Sequence, residues 1–198
     1  NENSFINSPM ICDPINLMDA SPVGDGAAAV ILARTDMLPS NAPKIIVAGS
    51  SAATDSIAIH NRKAPLRLSA AELSTQKAYA QAGIGPQDIG VFEYHDAFTI
   101  MAALSLEAAG FAEPGKGPAL AKNGEIKTTG RIPVATFGGL KARGHPVGAT
   151  GIYQMVEVVQ QLRGNAGKTQ VTKNDFGMCQ NIGGSGSNIV THILKRLN

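Results

Sequence analysis

The chain has 198 residues, enough to bury the core of one domain with a small appendage. Hydrophobic residues make up 43% and charged residues 16%, an ordinary globular balance, and a net charge of +2 supplies no basic surface for nucleic acid or anionic lipid. No apolar run approaches the ~20 residues that span a bilayer, and nothing at the start resembles a secretory signal.

Two cysteines, Cys12 and Cys179, are too few for a disulfide framework and predict reduced thiols in a cytoplasmic or organelle-matrix setting. The chain opens at Asn1 rather than methionine, so either processing has removed residues or it is a piece of something longer. Residues 1–23 are turn-rich, with Pro9, Pro14 and Pro22. Residues 27–32 form a small and β-branched apolar run that predicts a buried strand. Pro39 to Pro43 reads as a turn-like break and sets a boundary between residues 1–40 and 41–198.

Residues 44–48 predict a second strand. Ser69 and Glu72 have capping-box spacing and open a helix expected to run to Ala82 and stop at Gly83. Residues 89–94 predict a strand that feeds directly into a helix over 98–109, closed by Gly110. A further helix is expected over 148–163, with Ile152, Met155, Val156, Val159 and Leu162 spaced to face the core. Two closing strands, 176–180 and 188–194, flank a glycine-rich turn. Strands alternating with helices indicate a layered α/β domain.

Three loops carry residues capable of chemistry. Tyr94-His95-Asp96-Ala97-Phe98-Thr99 joins a strand to a helix, where ligands collect in open α/β sheets and where His95 could donate to a developing oxyanion. A helix capped by Asp96, with His95 purely structural, is the simpler reading of that loop taken alone. Between Gly138 and Gly151, five glycines and Pro146 frame His145 on a stiff loop, with Lys141 and Arg143 adding positive charge. It lacks the Gly-Lys-Ser/Thr ending of a phosphate loop. Cys179 stands before Gln180-Asn181-Ile182-Gly183-Gly184, either as a thiol able to exchange protons or as a buried core residue. The histidines His60, His95, His145 and His192 and the cysteines show no ligand-pair spacing, so no metal is expected.

Taken together, His95-Asp96-Ala97-Phe98, the Gly144 to Gly151 loop and Asn181-Ile182-Gly183-Gly184 resemble the C-terminal motifs of the thiolase superfamily, nearest its archaeal and sterol-carrier-protein branch. The segment Asp19 to Ala29 resembles the part that closes the family's N-terminal half. The resemblance implies a thiolase-like layered fold, with a C-terminal βαβαβαββ half and the closing strand of the other half. It implies an acyl-CoA C-acyltransferase, acting by Claisen condensation or thiolysis of β-ketoacyl-CoA, with coenzyme A thioester as substrate and no covalently bound cofactor. The nucleophilic cysteine would lie outside this chain, in the N-terminal half on the same or a separate chain.

In that family His145 activates the nucleophile, and His95, standing where other thiolases have asparagine, completes an oxyanion site. Ser21, Ala97, Phe98, Gly183 and Gly184 match positions near the substrate. Ala97 and Gln180 replace a cysteine and a histidine common in relatives, and Cys179 is the candidate to supply the missing acid or base. The resemblance further implies a homodimer or larger assembly, with a small OB-fold partner as one option. Two other activities fit it: a non-condensing acyl-CoA or lipid-binding subunit, and a retro-aldolase on CoA thioesters.

Overall fold

The computed structural model describes residues 2–38, 43–173 and 175–197. Helix α1 (Glu2–Ile6) and the short strands β1 (Met10–Cys12) and β2 (Ile15–Asn16) form a small antiparallel hairpin ahead of the main layer. The expected break at 39–43 falls, apart from Pro43, outside the described residues.

The core is a four-stranded mixed sheet built from β3 (Lys44–Thr54), β4 (Val91–Glu93), β5 (Phe176–Gly183) and β6 (Asn188–Leu197), in the order β3-β6-β5-β4. Strand β4 runs parallel to β5, whereas β5–β6 and β6–β3 are antiparallel. The parallel pair requires a crossover, and helices supply it.

Helices α2 (Ser69–Ala82) and α3 (Thr99–Ala108) cover one face, and α6 (Thr150–Arg163) covers the other. Two short helices, α4 (Gly117–Lys122) and α5 (Gly139–Arg143), lie in the connection between α3 and α6. Side chains alternate across β5 and β6 as a pleated strand demands. Met178 and Ile193 enter the cluster with Ala78, Phe92 and Leu106, while Cys179 and Leu194 meet Val158 and Leu162. Burying a side chain the size of Phe92, Met178 or Ile193 stabilises the fold by about 1.5–3 kcal/mol each.

Strand β3 carries a bulge between Val47 and Gly49, where a Cβ at Gly49 would strike the carbonyl oxygen of Ala78. Glycine there lets α2 lie close on the sheet.

The layered α/β fold is as expected, its βαβαβαββ order kept with the third strand reduced to a bridge, and three other expectations need correction. Residues 27–32 do not form a buried strand: no strand among the described residues offers them a ladder, and Ile31 and Leu32 are 95% and 77% exposed. The third strand of the expected βαβαβαββ order shrinks to one parallel bridge, Phe92 to Val134. It is held by Phe92 N–H to Pro133 O at 2.9 Å and Ala135 N–H to Phe92 O at 3.1 Å.

Ser69 is the first helical residue rather than the cap, and the Glu72 carboxylate accepts from Arg67 Nε at 2.8 Å, so no capping box forms. Finally, α6 presses polar side chains to the sheet along with apolar ones: of the expected core-facing set, Leu162 is buried and Met155 and Val159 pack at the edge of the core. Gln154, Glu157, Val158, Gln161 and Leu162 are buried, while Ile152, Met155, Val156 and Val159 are half-buried. Polar side chains on the sheet side are satisfied by hydrogen bonds, so burial did not follow hydrophobicity.

Candidate active site

Strand register sets the first half of the site. Glu93 pairs with Cys179 in the parallel ladder, and continuing that register by two residues brings His95 beside Asn181. Asn181 Nδ2 lies 3.3 Å from His95 Nδ1. His145 arrives from the other side, on the connection between α5 and α6. Its ring meets that of His95 edge-on, with centroids 4.9 Å apart and planes at 87°.

A single extended segment ties the two loops together. Ala20 bridges Phe98 and Val23 bridges His145. Ser21 N–H donates to Ala97 O at 2.8 Å, and His145 N–H donates to Pro22 O at 2.8 Å.

Asp96 does not cap the helix that follows it. Its carboxylate reaches across to α5 and accepts from Leu140 N–H at 2.8 Å and Lys141 N–H at 3.4 Å. The backbone turns sharply there, with φ of +99° at Gly138 and +60° at Gly139, and a Cβ on Gly139 would run into the Asp96 carboxylate. Glycine at this position therefore lets one loop grip the other.

The electrostatics keep both imidazoles neutral. Burial, with a smaller push from His145, holds His95 down to about 4. Burial and then the Arg143 guanidinium hold His145 below the ordinary histidine value, opposed by Asp96. His145 Nδ1 sits 2.7 Å from Thr150 Oγ1, whose own proton is directed at Pro146 O, 3.3 Å away. With that hydroxyl donating to Pro146 O, its oxygen can accept from His145 Nδ1–H, the tautomer that leaves Nε2 as the lone pair a general base needs.

Arg143 is anchored beneath the loop, with Nε 3.0 Å from Glu157 Oε1 and the guanidinium 4.7 Å over the Tyr153 ring. Burial pushes the carboxyls of both Glu157 and Glu93 up, and the charge of Glu157 raises Glu93 further. Glu93 Oε1 accepts from Thr136 N–H at 2.8 Å and from its hydroxyl at 2.9 Å.

Beside His95 lies an apolar cavity of about 320 Å³, walled by Leu68, Ala97, Phe98, Met101, Leu104 and Gly184. Ala97, Phe98 and Gly184 thus meet His95 at one cavity. Gly183 ends β5 one residue before it. Ser21 opens instead onto a separate depression of about 630 Å³ with Lys141.

Cys179 is not brought to the imidazole pair. It lies two residues back along β5 from Asn181, 2% exposed and packed with Val158, Leu162 and Leu194, and burial pushes its thiol up to about 12. Gln180 points to the opposite face, where its amide donates to Thr75 Oγ1 and Thr191 Oγ1 at 2.9 and 3.0 Å. The sequence reading missed Gln154, whose only signal was a polar residue in the register that α6 buries.

With two histidines converging from two glycine-framed loops, the comparisons with known proteins decide the family. A family model described as Thiolase C-terminal domain-like matches residues 51–196. The chain belongs to the thiolase family. Among relatives of this thiolase domain is the acetyl-CoA acetyltransferase of Methanothermobacter thermautotrophicus, 46% identical over 193 residues, covering 96% of this chain and 50% of that protein. Sterol carrier protein 2 of Rattus norvegicus is 32% identical over 197 residues, covering 96% of this chain and 36% of that protein. The archaeal relatives are thus spanned over about half their length. In fold, the thiolase domain is similar to a chain of the Ltp2-ChsH2(DUF35) aldolase, with a TM-score of 0.83, 23% identity, and coverage of 99% of this chain and 51% of that one.

Proposed function

We propose that the chain is the C-terminal half of an acyl-CoA C-acyltransferase, with the nucleophilic cysteine supplied from outside it. In this reading residues 1–40 are the tail of the N-terminal thiolase half and residues 41–198 the C-terminal domain. The observation that carries it is the contact between the His95 and His145 rings at 4.9 Å, close enough to address one substrate oxygen.

In the thiolysis direction, His145 Nε2 takes the proton of the cysteine thiol. The thiolate adds to the β-carbonyl of a β-ketoacyl-CoA, and its electron pair moves onto oxygen. Collapse of that oxyanion breaks the Cα–Cβ bond and leaves an acyl-enzyme and an acetyl-CoA enolate. His95 and His145 donate to the enolate oxygen, and the α-carbon takes the proton that His145 received from the cysteine. Neutral His145 then takes the proton of the coenzyme A thiol, the coenzyme A sulfur bonds to the acyl carbon, and the cysteine thiolate leaves and takes that proton back from His145. Claisen condensation is the reverse. Both oxyanions need donors placed before the charge develops, which two loop-held imidazoles provide.

The reading extends to partners. The N-terminal half would cover the apolar groove of about 440 Å³ lined by Ile31, Leu32, Met155, Val156 and Val159. A homodimer or larger assembly, in a cytoplasmic or organelle-matrix setting, follows from the same family reading, as does a small OB-fold partner. One relative is named as a subunit, benzoylsuccinyl-CoA thiolase subunit BbsB of Thauera aromatica, 31% identical over 169 residues.

The absence of a second thiol at the imidazole pair, with alanine at position 97 and Cys179 in the core, favours a second reading as retro-aldolase or non-condensing subunit. The full-length protein, mixed with acetoacetyl-CoA and coenzyme A and followed by separation of its acyl-CoA products, tests the choice. Thiolase activity yields two equivalents of acetyl-CoA. Cleavage of a β-hydroxyacyl-CoA instead would establish the aldolase, and saturable acyl-CoA binding without turnover would establish the binding subunit.

A further inference from the structure

What His95 offers a substrate depends on which ring nitrogen holds its proton, and the amides behind it decide this. Gln154, 1% exposed on α6, has Nε2 at 2.8 Å from Tyr94 O and 3.1 Å from Gln180 O. Two carbonyl oxygens can only accept, so both amide protons of Gln154 are committed and its Oε1 must receive.

The neighbour of that Oε1 is the Asn181 amide, 3.3 Å away, which therefore presents its amino side. Asn181 has one proton left, and His95 Nδ1 lies 3.3 Å from the same nitrogen. Nδ1 is consequently a lone pair, and a neutral imidazole then carries its proton on Nε2. Turning either amide over would oppose two oxygens or two N–H groups beside the buried Gln154.

We propose that Gln154 and Asn181 are positioning residues that lock His95 in the Nε2–H tautomer, making it a permanent hydrogen-bond donor to a bound thioester oxygen. The identity of the oxygen rests on the acyltransferase reading above; the tautomer does not. Burial of His95 supports the neutral form that the relay requires. Thr150 sets His145 the opposite way, with Nε2 free to accept. Two touching imidazoles thus hold complementary roles, one donor and one base.

The test is the imidazole nitrogen spectrum of the full-length protein labelled with ¹⁵N-histidine, in which protonated and lone-pair nitrogens separate; loss of signals in His95→Asn assigns the residue. The wild type should show His95 protonated on Nε2. In Asn181→Asp the carboxylate accepts from Nδ1, so once the doubly protonated form is titrated away the proton should sit on Nδ1. Gln154→Met frees the Asn181 amide to turn and should give a mixture.

Thiolysis provides the second readout. The rate of Asn181→Asp relative to wild type should fall as pH rises and the Nε2 proton is lost, by about 10²- to 10³-fold in kcat. KM should change by less than about threefold. A wild-type proton on Nδ1, or an Nε2 proton that persists in Asn181→Asp, overturns the proposal. If that variant does not fold, the wild-type and Gln154→Met spectra still decide it. A wild type that turns over no thioester sinks the acyltransferase reading and leaves the tautomer to be judged by its spectrum.

Discussion

Replacing His95 by asparagine separates its titration from its hydrogen bonding, because the amide can still donate but cannot take up a proton. In the wild type, burial holds the folded His95 at about 4 against an ordinary value of 6.5. A depressed histidine binds fewer protons folded than unfolded, so the stability it permits is complete above 6.5 and is lost as pH falls towards 4. A gap of about 2.5 units at 1.36 kcal/mol per unit gives about 3 kcal/mol across that window. Urea unfolding of wild type and His95→Asn, followed by C-terminal domain signals from about pH 7.5 to about pH 4.5, reads the difference. The wild type should lose about 2–3 kcal/mol more than the variant on acidification. Equal acid sensitivity in the two proteins would refute the claim that His95 is held neutral by its surroundings.

Four further outcomes follow from the same geometry. His145→Gln removes the base, and kcat for thiolysis in the full-length protein should fall by about 10²- to 10⁴-fold. The acid limb of the wild-type pH–rate profile should lie below the ordinary histidine range, because burial and Arg143 hold His145 down; a limb above 6.5 would contradict that placement. Cys179→Ala should cost about 1–3 kcal/mol through lost packing while leaving kcat within about threefold, and a large kcat loss at unchanged stability would return Cys179 to the chemistry. Gly139→Ala forces a side chain into a left-handed position against the Asp96 carboxylate, and should destabilise by about 1–3 kcal/mol, measured by denaturant midpoint.

How much of this was legible in sequence depends on whether a signal was local. Helix α2 ends at Gly83 with φ +67°, and β5 and β6 flank the glycine-rich turn as expected, because caps and turns are short-range properties. The pairing of His95 with His145 was legible only through the resemblance of their loops to known motifs. The segment 20–23 was legible only through the resemblance of residues 19–29, and its part in tying the loops together was not, since Ser21, Pro22 and Val23 act through backbone atoms that any residue carries. Asp96 was read as capping the next helix because helix starts recruit nearby carboxylates. Its true partner, Leu140 N–H, is distant in sequence and visible only once the chain is folded.

Helix α6 shows why periodicity misled. Its apolar stripe, Ile152, Met155, Val156 and Val159, satisfies the pattern of a core-facing helix, yet the side pressed to the sheet carries Gln154, Glu157 and Gln161. Each of those polar groups has a task there that an aliphatic residue could not perform. Gln154 orders the amide relay to His95, Glu157 anchors the arginine beside His145, and Gln161 donates to Thr136 Oγ1 and Thr169 O at 2.9 and 2.8 Å. Burying three such side chains is tolerable only because hydrogen bonds and an ion pair replace the water they lose. Val158 and Leu162 supply hydrophobic burial on that same face, and Met155 and Val159 carry it to the edge of the core beside Ile45 and Leu194. That is where Ile31 and Leu32 of the unpaired segment lie, along the same groove. The buried polar groups and the apolar edge beside them therefore share one helix, and a pattern that counts only hydrophobic spacing cannot tell which polar residues it presses to the sheet.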